Sequence, residues 1–129
     1  MNILTIRTDK PEAEIGQYRY HDQLAYEVWQ AHRELAETIH AKIKALLDSQ
    51  SINLESLEGI VVFRGPGSFT GLRIGITVAN ALADALKIPI VGTSDDWIES
   101  GIGLLLSGSD HKVVLPEYGA LPNITAPKK

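Results

Sequence analysis

The sequence has no cysteine, one methionine and two phenylalanines, and nowhere does it build a long apolar run. Without cysteine there are no disulfides and no thiolate metal sites, which fits a protein of the reducing cytosol. No charged start leads into an apolar core segment, and no stretch of about 18 apolar residues escapes interruption by charge, so neither a signal peptide nor a membrane span is expected. An excess of positive charge is missing too. Twelve Lys and Arg stand against 16 Asp and Glu, a formal net charge of −4, so the chain as a whole is no electrostatic trap for RNA. The 129 residues are one domain's worth of chain, with room for a modest core.

The most distinctive stretch is also defined partly by what it lacks. Residues 65 to 75 read Gly-Pro-Gly-Ser-Phe-Thr-Gly-Leu-Arg-Ile-Gly. No Gly-Lys-Ser or Gly-Lys-Thr closes the loop, which excludes a P-loop. Gly65 and Gly67 fit the first two glycines of a dinucleotide fingerprint, but the third position is Thr70. No carboxylate, His or Cys lies inside, so nothing there acts as general base or metal ligand. The apolar run Ile60, Val61, Val62, Phe63 predicts a buried strand over Gly59 to Arg64, and the pattern beyond it predicts a helix from near Ser68 or Thr70 to about Lys87. Gly65 and Gly67 permit close approach in the turn between them, and Pro66 stiffens it. Ser68 and Thr70 both suit an N-cap, leaving the first-turn amides pointing outward beside Phe69. An ordinary strand-to-helix connection and a ligand or partner surface both fit this joint.

The helix carries two patterns. Arg73, Thr77, Asn80, Asp84 and Lys87 fall on one narrow polar stripe, and the rest is apolar. A second row, Gly71, Gly75, Ala79 and Ala83, is small enough to admit another backbone. A helix this apolar needs cover from two directions, supplied by a neighbouring helix or by a second protein.

Elsewhere, residues 2 to 8, 13 to 20 and Leu24 to Trp29 read as strands, the last two joined by a turn at His21-Asp22-Gln23. Residues 32 to 48 read as a helix with Leu35, Ile39, Ile43, Leu46 and Leu47 on one face. His32 and His40 are too far apart to grip a metal from one helical face. Residues 51 to 58, with Asn53 as a cap, lead into the central strand. Ile88 to Gly92 is expected as a short parallel strand with its Pro at the start. Ser94 before Asp95 and Asp96 reads as the cap of a helix over Trp97 to Leu106, with Ile98, Ile102, Leu105 and Leu106 facing inward. Val113 to Leu115 suggests one more strand, and the tail from Pro116 is read as extended.

The string GPGSFTGLRIG, preceded by GIVVFR and followed by TVANALADALKIPIVGTS, resembles the signature of the TsaB family, formerly called YeaZ. The likeness is strong over residues 59 to 94 and compatible over 1 to 58. It implies an α/β fold, a single actin/sugar-kinase-like (ribonuclease H-like) lobe with a five-stranded mixed sheet. Residues 1 to 95 would form that lobe, and 96 to 129 a helix, strand and tail left from a reduced second lobe. The family is one subunit of the bacterial machinery that makes threonylcarbamoyladenosine in tRNA. By resemblance the chain is a non-catalytic cytoplasmic scaffold that binds a TsaD-type catalytic subunit, works with a TsaE-type ATPase, meets tRNA only through the complex, and competes through a homodimer. ATP and metal then belong to the partner subunits. The residues implied at this surface are Leu35, Ile39, Ile43, Gly71, Arg73, Gly75, Ala79 and Ala83 on the two long helices, with Leu35, Ile39, Ala79 and Ala83 contributing to helix packing or contact.

Two departures bear on chemistry. Relatives of this superfold commonly carry an Asp after the first strand to manage metal and phosphate, and family members more often read Ile-Asp-Thr-Ser there. This chain reads Ile6-Arg7-Thr8-Asp9. TsaD-type relatives also carry a His-x3-His metal site after the later strand, where this chain has Gly92 to Glu99 with no histidine. An enzyme binding phosphate at the Ser68 helix start, and a stand-alone structural dimer, are the competing readings.

Overall fold

The computed structural model describes residues 1–67 and 69–117, apart from the side chains of His32 and Phe69. Three strands come first, β1 (Asn2–Arg7), β2 (Glu12–Arg19) and β3 (Asp22–Gln30), followed by helix α1 (Leu35–Ser49). Strand β4 (Gly59–Phe63), helix α2 (Phe69–Leu86), strand β5 (Ile90–Thr93) and helix α3 (Trp97–Leu106) complete the set, with short 3-10 turns at His32–Glu34 and Leu54–Ser56. The sheet order is β3-β2-β1-β4-β5, with β1 to β3 antiparallel and β4 and β5 added in parallel. This is the mixed sheet expected from the sequence. Its centre is β1, whose Ile3, Leu4 and Ile6 are all fully buried because both faces of the strand are covered.

Strand alternation sorts the two faces. On one side α1 lies over β2 and β3, while α2 lies over β1, β4 and β5. On the other, α3 rests on β4 and β5, so closely that a Cβ on Gly101 would stand 2.3 Å from Val61 Cγ1. The boundary expected at residue 95 therefore does not separate two packing units, since Ile102 and Leu105 of α3 belong to the same core as Val61.

Local corrections have local causes. The hairpin turn sits at Tyr20 and His21, with Tyr20 at φ 54°, and β3 already begins at Asp22. Pro89 falls just before β5, where its carbonyl accepts from the Ile60 amide at 3.1 Å. Leu106, expected inside, is 41% exposed at the end of α3.

Val113 to Leu115 is no strand. Residues 110–117 instead form an irregular strap along the free flank of β5. Ile90 donates its amide to Asp110 Oδ1 at 3.2 Å, and Gly92 donates to His111 Nδ1 at 3.1 Å. Lys112 takes a φ of 67°, Val114 is buried between exposed Val113 and Leu115, and Asn80 of α2 makes two hydrogen bonds with the Val114 backbone, at 2.9 and 3.0 Å.

Candidate functional site

The joint between β4 and α2 is built by close approach. Gly65 adopts φ 121°, the left-handed region that favours glycine, and a Cβ there would fall 2.1 Å from the Glu117 carbonyl oxygen. The Gly65–Pro66 peptide is cis. Ser94 does not cap α3 as expected. Its hydroxyl donates to the Gly65 carbonyl, while Asp96, at φ 48°, occupies the N-cap position without a side-chain cap bond. Ser68 lies outside the described residues, as does the Phe69 side chain, so the cap and contact expected there belong to no observed geometry. Pro66, Gly67 and Thr70 are exposed.

Downstream of the turn, the small-residue row faces the chain's own sheet. A Cβ on Gly71 would meet the Thr8 carbonyl oxygen at 2.2 Å, and one on Gly75 would meet Thr8 Oγ1 at 2.1 Å. Thr8 Oγ1 donates to the Gly71 carbonyl at 2.7 Å, stitching α2 to the end of β1. Ala79 and Ala83 are buried, as are Leu35, Ile39 and Ile43 of α1. These five side chains pack the monomer and are not surface contacts. The small row lets α2 settle on β1, and its neighbour α1 supplies the second direction of cover.

What the two helices leave outside is a groove of about 420 Å³ between them. Half-buried Ile74 and Val78 form its apolar floor, and exposed Ala36, His40, Thr70, Arg73 and Thr77 form its rim. Of the residues expected at a contact, Arg73 alone is exposed, with Gly71 partly so. Ala36, His40, Ile74, Thr77 and Val78 were missed. The signal for them was present, because they flank the buried positions at helical spacing. Periodicity marks two apolar flanks without telling which one the sheet takes.

In open α/β sheets, small ligands bind beyond the carboxyl ends of the parallel strands. In this chain that end is filled by its own charges. Arg7 donates from Nε to Asp9 Oδ1 at 2.7 Å and from Nη2 to Asp9 Oδ2 at 3.3 Å. The Arg7 guanidinium lies 3.8 Å over the Phe63 ring, which meets Trp97 edge-on at 6.0 Å. Lys10 pairs with Glu14 at 3.5 Å and Arg64 with Glu117 at 3.2 Å. Each of these cations answers an intrachain carboxylate, and Asp9, the acid packed against Gly67 of the turn, is held by Arg7. The residues present do not fit a metal-bound nucleotide. Among the described residues no group of three His, Cys, Asp or Glu could hold a metal ion, and no helix is long and apolar enough to cross a membrane.

Comparison with known proteins adds the family. The model for TsaD, tRNA N6-adenosine threonylcarbamoyltransferase, matches residues 29–115. A tRNA N6-adenosine threonylcarbamoyltransferase from Geotalea daltonii is 42% identical over 82 residues, covering 64% of this chain and 24% of that protein. The tRNA threonylcarbamoyladenosine biosynthesis protein TsaB from Bacillus subtilis is 34% identical over 94 residues, covering 73% of this chain and 41% of the relative. The solved structure of YeaZ from Pseudomonas aeruginosa superposes with a TM-score of 0.67 at 29% identity, over 72% of this chain and 43% of that one. The chain thus spans less than half the length of each of these proteins. It belongs to the family that the matching model describes, as a member of its TsaB, or YeaZ, branch.

Proposed function

We propose that this chain is a non-catalytic TsaB-type subunit of the apparatus that forms threonylcarbamoyladenosine in tRNA, and that it binds a TsaD-type catalytic subunit through the α1–α2 groove. The observation that carries the reading is the groove itself, an apolar floor of Ile74 and Val78 left half-covered between two helices whose sheet-facing sides are buried. The partner's identity is supported by the span of the family match, which includes both helices, β4, β5 and α3. A TsaD-type protein would present a helix pair of the same kind, and two like surfaces pack about a local twofold axis. A second copy of this chain would compete for the groove in the same way. ATP, metal and the TsaE-type ATPase act on the partner's side, and tRNA is reached through the assembly in the cytoplasm.

The test is association between this chain and a TsaD-type protein, measured by light scattering and calorimetry. Ala36 and Thr77 are exposed, so Ala36→Glu with Thr77→Glu leaves the monomer folded and places two charges at the groove rim. A loss of at least about tenfold in affinity, ~1.4 kcal/mol, is expected. A mixture that shows only separate species, or a double variant that binds as tightly as the unaltered chain, refutes the proposal.

A further inference from the structure

The pair Arg7 and Asp9 does more than neutralise two charges. Asp9 is 8% exposed, and a Cβ on Gly67 would stand 2.5 Å from Asp9 Cβ, so the Asp9 side chain is the surface against which the motif turn closes. Arg7 holds that carboxylate with two charge-assisted bonds and presses its own flat face on Phe63. Phe63 in turn meets Trp97, the first residue of α3. One continuous layer therefore runs from the Gly65–Gly67 turn through Asp9, Arg7 and Phe63 to α3. It occupies the space beyond β1 and β4 that a ligand would need.

We propose that Arg7 and Asp9 form a clasp: they fasten the motif turn to β1, and they close this end of the sheet to a divalent cation carrying a nucleoside di- or triphosphate. Asp9 lies two residues beyond Arg7, in the bend just past the end of β1, and its carboxylate meets the guanidinium there. A metal would have to take Asp9 from Arg7, and a phosphate would have to take Arg7 from both Asp9 and Phe63. The inference does not depend on which partner occupies the α1–α2 groove.

Three measurements on the full chain test it. Titration of the unaltered protein with Mg-ADP and Mg-ATP at millimolar concentration gives no saturable heat; a saturable isotherm overturns the proposal. Thermal melts of Arg7→Ala, Asp9→Asn and the double variant show coupling. Arg7→Ala leaves a nearly buried carboxylate unanswered, and Asp9→Asn in the same chain recovers part of the lost Tm. Losses that simply add overturn the clasp. Hydrogen exchange separates a local fastening from general loss of stability. In Arg7→Ala the Arg73 to Gly75 amides, which bond back to the first-turn carbonyls of α2, exchange about tenfold faster than in Gly101→Ala, which is destabilised away from the turn. Equal rates in the two variants also overturn it. If Arg7→Ala fails to fold, Arg7→Lys keeps the charge but loses the paired bonds and the stacking, and the same exchange contrast is read there.

Discussion

Gly75→Ala measures how tightly α2 is held to β1. In a free helix the change is favourable by about 1 kcal/mol, because alanine is the better helix former. Here the new Cβ would lie 2.1 Å from Thr8 Oγ1, 2.8 Å from its Cγ2 and 3.0 Å from its Cβ. No rotation of Thr8 clears a β-carbon at that distance, so the helix or the strand end must move. Overpacking of this kind costs about 1–3 kcal/mol. Displacing the Thr8 hydroxyl also forfeits its bond to the Gly71 carbonyl, worth about 1 kcal/mol. The balance is a net loss of about 1–3 kcal/mol, read as a lower urea midpoint at unchanged slope. Thr8→Ala removes the two closer atoms. In that background Gly75→Ala should cost at least about 1 kcal/mol less, a coupling within the range for residues in contact. A stabilised Gly75→Ala protein, or an equal cost in both backgrounds, would refute the claim that this contact sets the helix position.

Two further outcomes follow from α3 and the strap. Gly101→Val would drive its Cβ into Val61 and lose more than about 2 kcal/mol, whereas Gly103→Ala meets nothing within 4 Å and should gain up to about 1 kcal/mol, both checked by chemical denaturation. Desolvation pushes the Asp110 carboxyl up, yet the Lys112 and Ile90 amides that donate to it, helped by the charges of Lys112 and His111, outweigh that and hold it below its ordinary value. Since the folded group titrates below the unfolded one, its contribution is complete above about pH 4 and fades as pH falls through the folded value. Protection of the Ile90 and Lys112 amides should drop in that acid range and lose this dependence in Asp110→Asn; a profile unchanged by the substitution would contradict it.

Much of this architecture was readable without coordinates. Burial of β1 on both faces shows in Ile3, Leu4 and Ile6, and α3 runs from Trp97 to Leu106 as its pattern indicates. The polar stripe of α2 was also legible, with Arg73, Thr77, Asp84 and Lys87 exposed. What escaped depends on contacts between distant residues. Ser94 has every local mark of a cap, but the Gly65 carbonyl, 29 residues away, claims its hydroxyl. Ala79 and Ala83 are small for reasons that suit a sheet and a partner equally, and only their burial in the folded chain decides. Asp9, two residues past the end of β1, meets Arg7 there, a pairing that no local pattern announces. The strap mimics a strand through its alternating Val113, Val114 and Leu115, while side chains of Asp110 and His111 take the bonds that a neighbouring backbone would make.

Those last bonds have a wider consequence. An outermost strand ordinarily offers its outward amides to any extended peptide that drifts past. On the β5 side the amides of Ile90 and Gly92 are already engaged, and the Ile90 carbonyl accepts from the His111 amide at 2.8 Å. The lobe is therefore shut to lateral extension on that flank, and any strand recruited to it would have to line up along β3, beside Asp22, Glu27 and Gln30.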